Sequence, residues 1–591
     1  MEGKIVKNTN NLICSILVGI IVLLIGITLK TSNQDIHTLN LVIYSILVSA
    51  STYVLLFPSI QQKIKHLFCD YDWADETIKL YQSIPHIYRK SFWVSFGFIN
   101  LAFLFHTIHF MWGANDWAAI RTTVDNHQSL KDGYFSAFYL QNLLFGGKIL
   151  PVINNLWSFV GLSLAGLLLA IYFNIAHSVF SIVTLTLILS VTPYTLGWMY
   201  YTQNTLGNLW ATTFSMIAII IASKDIPSLN KKYLYNLLSI ILLTLSLGTF
   251  LPIINFILVV ILGKILLDIG ISGITLRNTL SRHLQILTNL TASIFIYAFI
   301  IILLKETKIA PEIYNISFLS IYKNIPQAIC TMFTQFTTPI PFIGLSYKFL
   351  YIALTLFALF CLIIKSPSAK SALKAIIMLP IILFASQIST LFFVTTPHAV
   401  TVSFYSLPII YALMFTILIK LDGQYIKRIT YAIAILLIFS SFVRISYALK
   451  VWKFGFDAET KLAERIITRM EKMPEFNINN KYKLIQIGSQ SLRSKYYIPT
   501  KNEQESNALL TLPYYNQGNA KDAYNFFYQA DFLSQDISIE TIKDHAIIRD
   551  YILNRARAYP AKESIFIHND YIIFVLDEKA LTQAQRKILN N

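Results

Sequence analysis

Long runs of apolar residues, separated by short polar segments, make up most of the first three quarters of the chain. Each run is close to the length of about 20 residues that an α-helix needs to cross a bilayer. The pattern predicts thirteen membrane spans, at Leu12–Leu29, Leu39–Ile60, Ser91–Trp112, Asn155–Ile175, His177–Tyr200, Leu206–Ser223, Tyr233–Thr249, Leu251–Asp268, Ile286–Leu304, Phe349–Ile364, Ala375–Val394, Ser403–Ile419 and Ile429–Ser446. Residues 1–447 are therefore expected to form a polytopic α-helical membrane domain. The two runs that meet at Gly248–Pro252 fit either two short helices or one long broken helix.

The pattern changes near Phe456, where charged residues become frequent and the long apolar runs stop. Helical periodicity predicts one helix at Ala458–Met473 and another at Ile539–Ala556. Alternating apolar residues predict strands at Lys483–Ile487, Ser564–His568 and Tyr571–Leu576. Residues 456–591 are therefore expected to form a small soluble α/β domain.

Composition agrees with a membrane protein and excludes an ordinary cytosolic enzyme. Of the 591 residues, 55% are apolar and only 13% are charged, whereas soluble domains carry about 25% charged residues. The formal net charge of +17 would suggest a nucleic-acid partner in a soluble protein. In a membrane protein, Lys and Arg instead mark the cytoplasmic loops, so no nucleic-acid partner is expected.

The distribution of Lys and Arg also predicts the orientation of the spans. With a cytoplasmic N-terminus, the short inner loops hold 19 Lys and Arg residues and the outer loops hold 8. This difference follows the positive-inside rule. Thirteen spans then place the C-terminal domain outside, in the periplasm of a bacterium, whereas an even number of spans would place it in the cytoplasm.

Two predicted outer segments, 113–154 and 305–348, are unusually long and rich in aromatic and apolar residues. Long connections in compact domains are commonly functional. We expect both segments to contain amphipathic helices that lie along the membrane surface.

Asp116 opens the first of these segments, between Trp112 and Trp117. A carboxylate in a partly desolvated aromatic setting has a raised pKa and suits general-base catalysis. The same residue type also caps surface helices, and a helix over Trp117–Val124 would explain Asp116 without catalysis.

The chain resembles the GT-C superfamily of membrane glycosyltransferases, which combines many spans with two long outer loops, an acidic residue at the start of the first loop and a soluble tail. Within that superfamily it is most similar to the bacterial family of O-antigen serotype-converting glucosyltransferases. The stretches that carry this resemblance are Asn115-Asp116 followed by Arg121, Asp132-Gly133-Tyr134, Gly146-Gly147-Lys148 followed by Pro151, and Ser246-Leu247-Gly248-Thr249-Phe250.

Two positions depart from the pattern of that family. Only one acid, Asp116, follows Asn115 where the family often has two, so no metal ligands are assigned and a requirement for Mg²⁺ or Mn²⁺ stays open. Phe250-Leu251 stands where the family has Tyr-Gln, which removes a polar contact.

The resemblance implies transfer of a sugar from a polyprenyl-phosphate donor, which requires a base for the acceptor hydroxyl and cationic or donor groups for the leaving phosphate. Asp116 is the predicted base. Four outer residues are predicted to bind the substrate phosphate: Arg121, Lys148, Lys348 and His398. Each also has an ordinary explanation, because basic side chains at a membrane boundary extend to lipid headgroups and a buried histidine often has a structural hydrogen bond.

Aromatic residues gather at the outer end of the fifth predicted span: Tyr194, Trp198, Tyr200 and Tyr201, followed by Gln203. Under the same resemblance, Tyr201 and Gln203 are predicted to contact a sugar. The alternative is an aromatic belt at the membrane interface.

The sequence therefore predicts a glycosyltransferase of the bacterial inner membrane that moves a hexosyl or pentosyl group from a polyprenyl-phosphate-linked donor. Its acceptor would be an envelope glycan or glycolipid of the O-antigen or lipopolysaccharide type. A protein or lipid A glycosyltransferase is a second enzymatic possibility. A transporter or flippase of lipid-linked saccharides is the competing class, and such proteins carry charged or broken helices near the bilayer midplane.

Overall fold

The structure of the protein is a computed structural model with a large helical bundle and a small C-terminal sheet. It describes residues 78–79, 81–109, 111, 130, 133–146, 148, 150–199, 202–224, 229–306, 321–337, 345–392, 404–421, 423–488, 521, 524–525, 528, 531–542 and 545–590.

The bundle consists of helices joined mostly by short connections. In chain order these helices are α1 (His86–Ile108), α2 (Phe135–Phe145), α3 (Pro151–Tyr172), α4 (Val179–Ser190), α5 (Leu196–Met199), α6 (Thr202–Ala222), α7 (Leu229–Thr249), α8 (Ile253–Gly270), α9 (Leu276–Glu306), α10 (Ile321–Thr337), α11 (Leu345–Lys365), α12 (Ala369–Ala385), α13 (Leu407–Lys420) and α14 (Gln424–Glu471). Short 3₁₀ turns lie at Pro193–Thr195 and Ile388–Phe392.

Seven helices of the described residues are long and apolar enough to cross a membrane: α1, α3, α6, α7, α8, α9 and the first part of α14. The bent pair formed by α4 and the segment Pro193–Met199 raises the number to eight. The prediction of a helical membrane protein is confirmed, but thirteen spans are not found. The predicted spans Leu12–Leu29 and Leu39–Ile60 lie outside the described residues, and α11 and α13 are shorter apolar helices.

Prolines interrupt two of the predicted apolar runs. The run His177–Tyr200 is not one helix, because Pro193 lacks an N–H and α4 already ends at Ser190. The chain there bends by 48°. Pro252 likewise separates α7 from α8, so the run around it forms two helices. The predicted span Ala375–Val394 is also wrong at its end, because α12 stops at Ala385.

Helix α14 joins the bundle to the C-terminal region without a break. It has 48 residues and contains both the predicted span Ile429–Ser446 and most of the predicted helix Ala458–Met473. No proline interrupts the segment between them, and Lys453 pairs with Asp457 one turn later, which is a favourable spacing in a helix.

The course of α14 defines two ends of the bundle. Near its start, the Tyr431 hydroxyl lies 2.7 Å from Ser181 Oγ at the beginning of α4. Further along, the Trp452 ring lies 5.0 Å from the ring of His106 near the end of α1. At 1.5 Å per residue these two contacts are about 30 Å apart, the thickness of a hydrocarbon core. We call the end at His106 and Trp452 the loop end, because helices α2 and α10 also lie there, and we call the opposite end the basic end.

A four-stranded sheet forms the centre of the C-terminal region. Its strands are β1 (Tyr482–Ile487), β2 (Leu533–Asp536), β3 (Ile565–His568) and β4 (Tyr571–Val575), arranged in the order β2-β1-β4-β3. Strand β1 is parallel to both β2 and β4, and β3 forms an antiparallel hairpin with β4. The three predicted strands are therefore confirmed, and β2 was not predicted.

Helices cover both faces of this sheet. Ile466 and Met470 at the end of α14 pack on the face that contains Leu484 and Phe574. Helix α16 (Glu578–Asn590) covers the other face. The predicted helix Ile539–Ala556 is wrong as one element, because a 3₁₀ turn, the short helix α15 (Ala546–Asp550) and a π-helical turn (Tyr551–Arg555) occupy the segment.

The direction of α14 yields a topology prediction. Tyr425 and Leu589 are exposed, and they lie before and after the membrane-crossing part of α14. In a variant without native cysteines, Tyr425→Cys and Leu589→Cys should react with a membrane-impermeant maleimide from opposite sides of sealed vesicles. Labelling of both from one side would contradict the path of α14 through the membrane.

Two glycines allow α2 to lie directly on the bundle, which yields a second prediction. A Cβ at Gly207 would lie 2.9 Å from Ala137 Cα, and one at Gly248 would lie 2.4 Å from the Phe135 ring. Gly207→Ala should therefore lower the free energy of unfolding of the detergent-purified protein by about 1–3 kcal/mol, because the added methyl group overpacks the contact with α2. This loss should exceed the gain from the higher helix propensity of alanine.

Gly97→Ala in α1 is the matched control, because a Cβ at Gly97 meets no atom within 4 Å. Its melting temperature should stay level or rise. If Gly207→Ala and Gly97→Ala change the melting temperature equally, α2 does not need the close approach at Gly207.

Candidate functional site

The described residues include few of the side chains that the sequence singles out. Lys148 follows the C-cap of α2 with an exposed side chain, and its carbonyl accepts a hydrogen bond from Gln141 Nε2 at 2.6 Å. Gln203 lies in the first turn of α6 and Lys348 in the first turn of α11. Asp116, Arg121, Tyr201 and His398 lie outside the described residues. The predicted assembly of these residues into one site therefore stays a prediction.

Aromatic rings converge at the loop end around Phe250, in the break between α7 and α8. The Phe250 ring lies 4.8 Å from Trp198, 5.1 Å from Tyr134 and 6.1 Å from Tyr405. Trp198 and Tyr405 are themselves 5.6 Å apart. These four residues, which we call the aromatic cluster, come from four separate segments of the chain.

Three members of the aromatic cluster are buried in the protein, and Tyr134 is partly buried. Trp198 is 3% exposed, Phe250 is 4% exposed and Tyr405 is fully buried. Tyr194, which belongs to the same predicted group as Trp198, is 1% exposed. A lipid-facing aromatic belt therefore does not account for Tyr194 and Trp198. The other aromatic members of that group, Tyr200 and Tyr201, lie outside the described residues.

Polar atoms beside the aromatic cluster are buried without satisfying their hydrogen-bonding capacity. They are Trp198 Nε1, the amide nitrogen and oxygen of Asn208, and Ser136 Oγ. None of them has a hydrogen-bond partner within the described part of the chain. A buried donor or acceptor without a partner costs about 1–3 kcal/mol. Atoms of this kind occur where a ligand or ordered water supplies the partner.

Hydrogen bonds from side-chain hydroxyls to backbone carbonyls hold these residues in place. Thr205 Oγ1 donates to the carbonyl of Trp198 at 2.7 Å and connects α5 to α6. The Tyr405 hydroxyl donates to the carbonyl of Asn208 at 2.8 Å. Gly207 and Gly248 allow α2 to approach closely enough that Ser136 lies against α7. Trp198, Asn208 and Ser136 therefore lie on helices whose mutual spacing is fixed, which suits a preorganised site.

The described side chains of this site are uncharged. Aromatic faces provide apolar contact area, and the Asn208 amide and Ser136 hydroxyl provide both donors and acceptors. Tyr139, five residues after Tyr134, adds no base, because burial raises the pKa of its phenol to about 12. Within the described ranges, no three His, Cys, Asp or Glu side chains lie together as a metal site would require.

The second long segment contributes helix α10, which joins the loop end through a 3₁₀ turn. Asn324 Nδ2 donates to the carbonyl of Leu391 in that turn at 3.2 Å. Ser389 of the same turn donates its backbone N–H to Asn255 Oδ1 at 2.9 Å and accepts from Asn255 Nδ2 at 3.0 Å. Asn255 lies in the first turn of α8, one turn beyond Phe250. Helix α10 is thereby connected to the site.

Helix α10 is amphipathic, as predicted for the long outer segments. Ala328 and Met332 are buried on one face. Large apolar side chains are exposed on another face, at Tyr322, Ile325, Ile329 and Phe333. Their spacing follows the helical period, so they form a continuous apolar stripe of the kind that lies in a membrane interface.

Sequence reasoning missed Asn208, Asn255 and Ser136 as site residues. A signal existed for the two asparagines, because each is an amide within an otherwise apolar run, and polar residues inside membrane helices are commonly functional. No sequence signal connects either residue to Trp198 or Phe250, since the contacts join distant segments.

The hydrogen bond from Tyr405 yields a prediction on the integrity of the site. Tyr405→Phe removes the hydroxyl that satisfies the Asn208 carbonyl, so the free energy of unfolding should fall by about 1–3 kcal/mol. Thermal unfolding of the purified protein would measure this change. Tyr425→Phe is the matched control, because the Tyr425 side chain is 79% exposed, and it should leave stability unchanged. Equal stability of the two variants would refute a structural role for this bond.

No protein-family model, curated protein or solved structure matches the chain.

Proposed function

We propose that the protein is a membrane glycosyltransferase that transfers a sugar from a polyprenyl-phosphate-linked donor to an envelope glycan or glycolipid. The observation that carries this proposal is the buried aromatic cluster with the unsatisfied polar atoms of Trp198, Asn208 and Ser136. Aromatic faces complement the apolar face of a sugar ring, and amide and hydroxyl groups complement sugar hydroxyls. The resemblance to GT-C enzymes supports the same class.

The proposed reaction breaks the bond between the anomeric carbon and the donor phosphate and forms a bond from that carbon to an acceptor oxygen. Asp116, at the start of the segment that leads to α2, takes the proton of the acceptor hydroxyl. Arg121, Lys148, Lys348 and His398 stabilise the polyprenyl phosphate as it leaves, and Tyr201 and Gln203 add contacts to the sugar. Trp198, Asn208 and Ser136 hold the sugar ring.

The proposed location is a bacterial inner membrane, with the loop end on the periplasmic side. The basic end then faces the cytoplasm, in agreement with the positive-inside rule. The C-terminal region lies at the loop end in this arrangement, where it can contact the acceptor. The apolar stripe of α10 supports a donor that is itself a membrane lipid.

A transfer assay tests the proposal directly. Purified protein in proteoliposomes would receive a panel of polyprenyl-phosphate hexoses and pentoses, each radiolabelled in the sugar, together with extracted envelope lipopolysaccharide. We expect label to move from the lipid to the acceptor with one donor. Absence of transfer from every donor, by protein that is folded and inserted, would overturn the proposal.

Asp116→Asn tests the base within that assay. It should lower the transfer rate by about 10²–10⁴-fold, the range for loss of a general base, while the protein still accumulates in the membrane. A rate equal to that of the wild type would remove Asp116 as the base and leave the other residues to be examined.

Trp198→Phe and Asn208→Ala test the sugar-binding residues. Each removes a polar contact while retaining most of the packing, so each should reduce transfer efficiency by about threefold to tenfold. Trp157→Phe is the control, because the Trp157 side chain is half exposed on α3, and it should leave transfer unchanged. If all three variants transfer equally, the cluster at Phe250 is not the sugar site.

One observation favours transport as a second candidate function. The break between α4 and Pro193 bends a membrane-crossing segment by 48°, and broken helices are common at the substrate sites of transporters. A flippase would move a fluorescent polyprenyl-phosphate sugar across the vesicle bilayer without releasing polyprenyl phosphate. The transfer assay separates the two candidates, because only the transferase releases that product.

A further inference from the structure

Helix α2 covers parts of α7 and α9 at the loop end. The Phe135 ring of α2 lies 5.9 Å from the ring of Tyr297 in α9, which is fully buried. Gly248 of α7 lies directly against the start of α2, because a Cβ at this position would be 2.4 Å from Ser136 Oγ. The first turn of α2 is therefore in contact with both helices.

The region beneath α2 also contains Thr244 of α7. Helices α7 and α9 run parallel, because two hydrogen bonds spaced four residues apart on each helix join them. These bonds connect Asn289 to Asn236, and Ser293 to the carbonyl of Ile240. One turn further along, the same register brings Thr244 beside Tyr297. Thr244 is also one turn before Gly248, so both lie on the same face of α7.

The hydroxyl groups of Ser136, Thr244 and Tyr297 are buried, and none has a hydrogen-bond partner among the residues that the structure describes. Other hydroxyl groups in α7 and α9 donate to the carbonyl four residues earlier, namely those of Ser246, Thr288, Thr291 and Ser293. Thr244 makes no such bond within the described ranges, so its hydroxyl is directed away from the backbone of its own helix. A ligand can supply a partner to these buried groups only after the element that covers them moves.

Two glycines with left-handed backbone border α2. Gly133 precedes the helix with a φ of 83°, and Gly146 ends it as the C-cap with a φ of 59°. Glycine adopts these angles without the strain that a side chain causes, and it also changes its backbone angles more freely than other residues. Hinges of moving segments are a few positions of this kind at the ends of an element.

The contacts of α2 favour movement as one body. The buried Gln141 donates its Nε2 to the carbonyl of Lys148 at 2.6 Å, so this amide is bonded within the segment and moves with it. The contacts of Phe135 with Tyr297 and of Ala137 with Gly207 are packing contacts. Such surfaces can separate without leaving a hydrogen-bonding group unpaired.

We propose that α2 is a lid that moves away from α7 and α9 about Gly133 and Gly146 and uncovers the hydroxyl groups of Thr244 and Tyr297. The described arrangement is its closed position. In the open position, an uncharged polar ligand can bond to these two groups and to Ser136, and closure then encloses the ligand and excludes water. That this ligand is a sugar rests on the proposed transferase function, whereas the movement itself does not.

Cysteine reactivity measures the movement without any substrate. In the full-length protein without native cysteines, in nanodiscs, Thr244→Cys should react with a membrane-impermeant maleimide whenever α2 opens. Thr184→Cys in α4 is the matched control, because Thr184 is 3% exposed and Thr244 is 7% exposed. We expect Thr244→Cys to react at least about tenfold faster, since local opening costs less free energy than global unfolding. Equal rates for the two cysteines would overturn the lid.

A hinge variant assigns the opening to α2. Gly146→Ala disfavours the left-handed backbone of the closed position, although a Cβ at Gly146 meets no atom within 4 Å. It should therefore accelerate the labelling of Thr244→Cys by about fivefold and leave the labelling of Thr184→Cys unchanged. Gly97→Ala is the control for the substitution itself and should change neither rate. An unchanged rate at Thr244→Cys in the Gly146→Ala variant would contradict a hinge at this glycine.

Protection by a donor connects the lid to the sugar. A polyprenyl-phosphate sugar that is transferred in the assay above should slow the labelling of Thr244→Cys by at least about threefold, because binding favours the closed position by mass action. If a transferred donor leaves this rate unchanged, α2 does not enclose the sugar and the proposed role of the lid is wrong. If no donor is transferred while Thr244→Cys still reacts faster than Thr184→Cys, the transferase function fails and the lid stands.

Discussion

Backbone groups that are freed where a helix stops inside the apolar bundle require hydrogen-bond partners, because no water is available there to replace them. At the end of α4, the Thr195 hydroxyl donates to the free carbonyl of Ser190 at 2.7 Å. At the 3₁₀ turn after α12, Asn255 supplies both a donor and an acceptor to Ser389. These local solutions allow non-helical backbone at the loop end, and the aromatic cluster lies beside them.

Close helix approach has a second organising role at the same end. Gly207 and Gly248 remove side-chain volume from adjacent helices, so α2 lies directly against their backbones. Asn155 links α1 to α3 through His106 and Thr107, with distances of 3.2 and 3.4 Å. The segments around the cluster are therefore held by specific contacts, whereas α1 and α9 have large exposed apolar side chains on their outer faces.

The two ends of the bundle differ in their chemistry. The loop end combines neutral aromatic and amide groups, which suit an uncharged sugar ring. At the basic end, the enclosed Asp268 carboxylate pairs with Lys264 and faces His283. Helix α14 spans the distance between these ends and continues without a break into the sheet region.

Hydropathy and periodicity were sufficient for the helical membrane class, for most span positions between Ser91 and Ser446, and for three of the four strands. Strand β2 was missed because Leu533–Asp536 has only four residues and no alternating pattern. Pro193 is visible in the sequence, but hydropathy averaged over a whole run does not detect a short non-helical turn. The run His177–Tyr200 was therefore predicted as one span. The role of Asn208 was not accessible, because its carbonyl is bound by Tyr405, 197 residues away.

The sequence by itself determined that this protein is built of membrane-crossing helices with a small α/β region after them, because burial of apolar side chains depends on local periodicity. The family resemblance around Asp116 also comes from the sequence alone. Only the tertiary structure decided that Trp198, Phe250, Tyr405 and Asn208 lie together, and that Lys264, Asp268 and His283 lie together. Each group joins segments that are distant along the chain, and such contacts depend on how helices pack and not on the local pattern of any one helix.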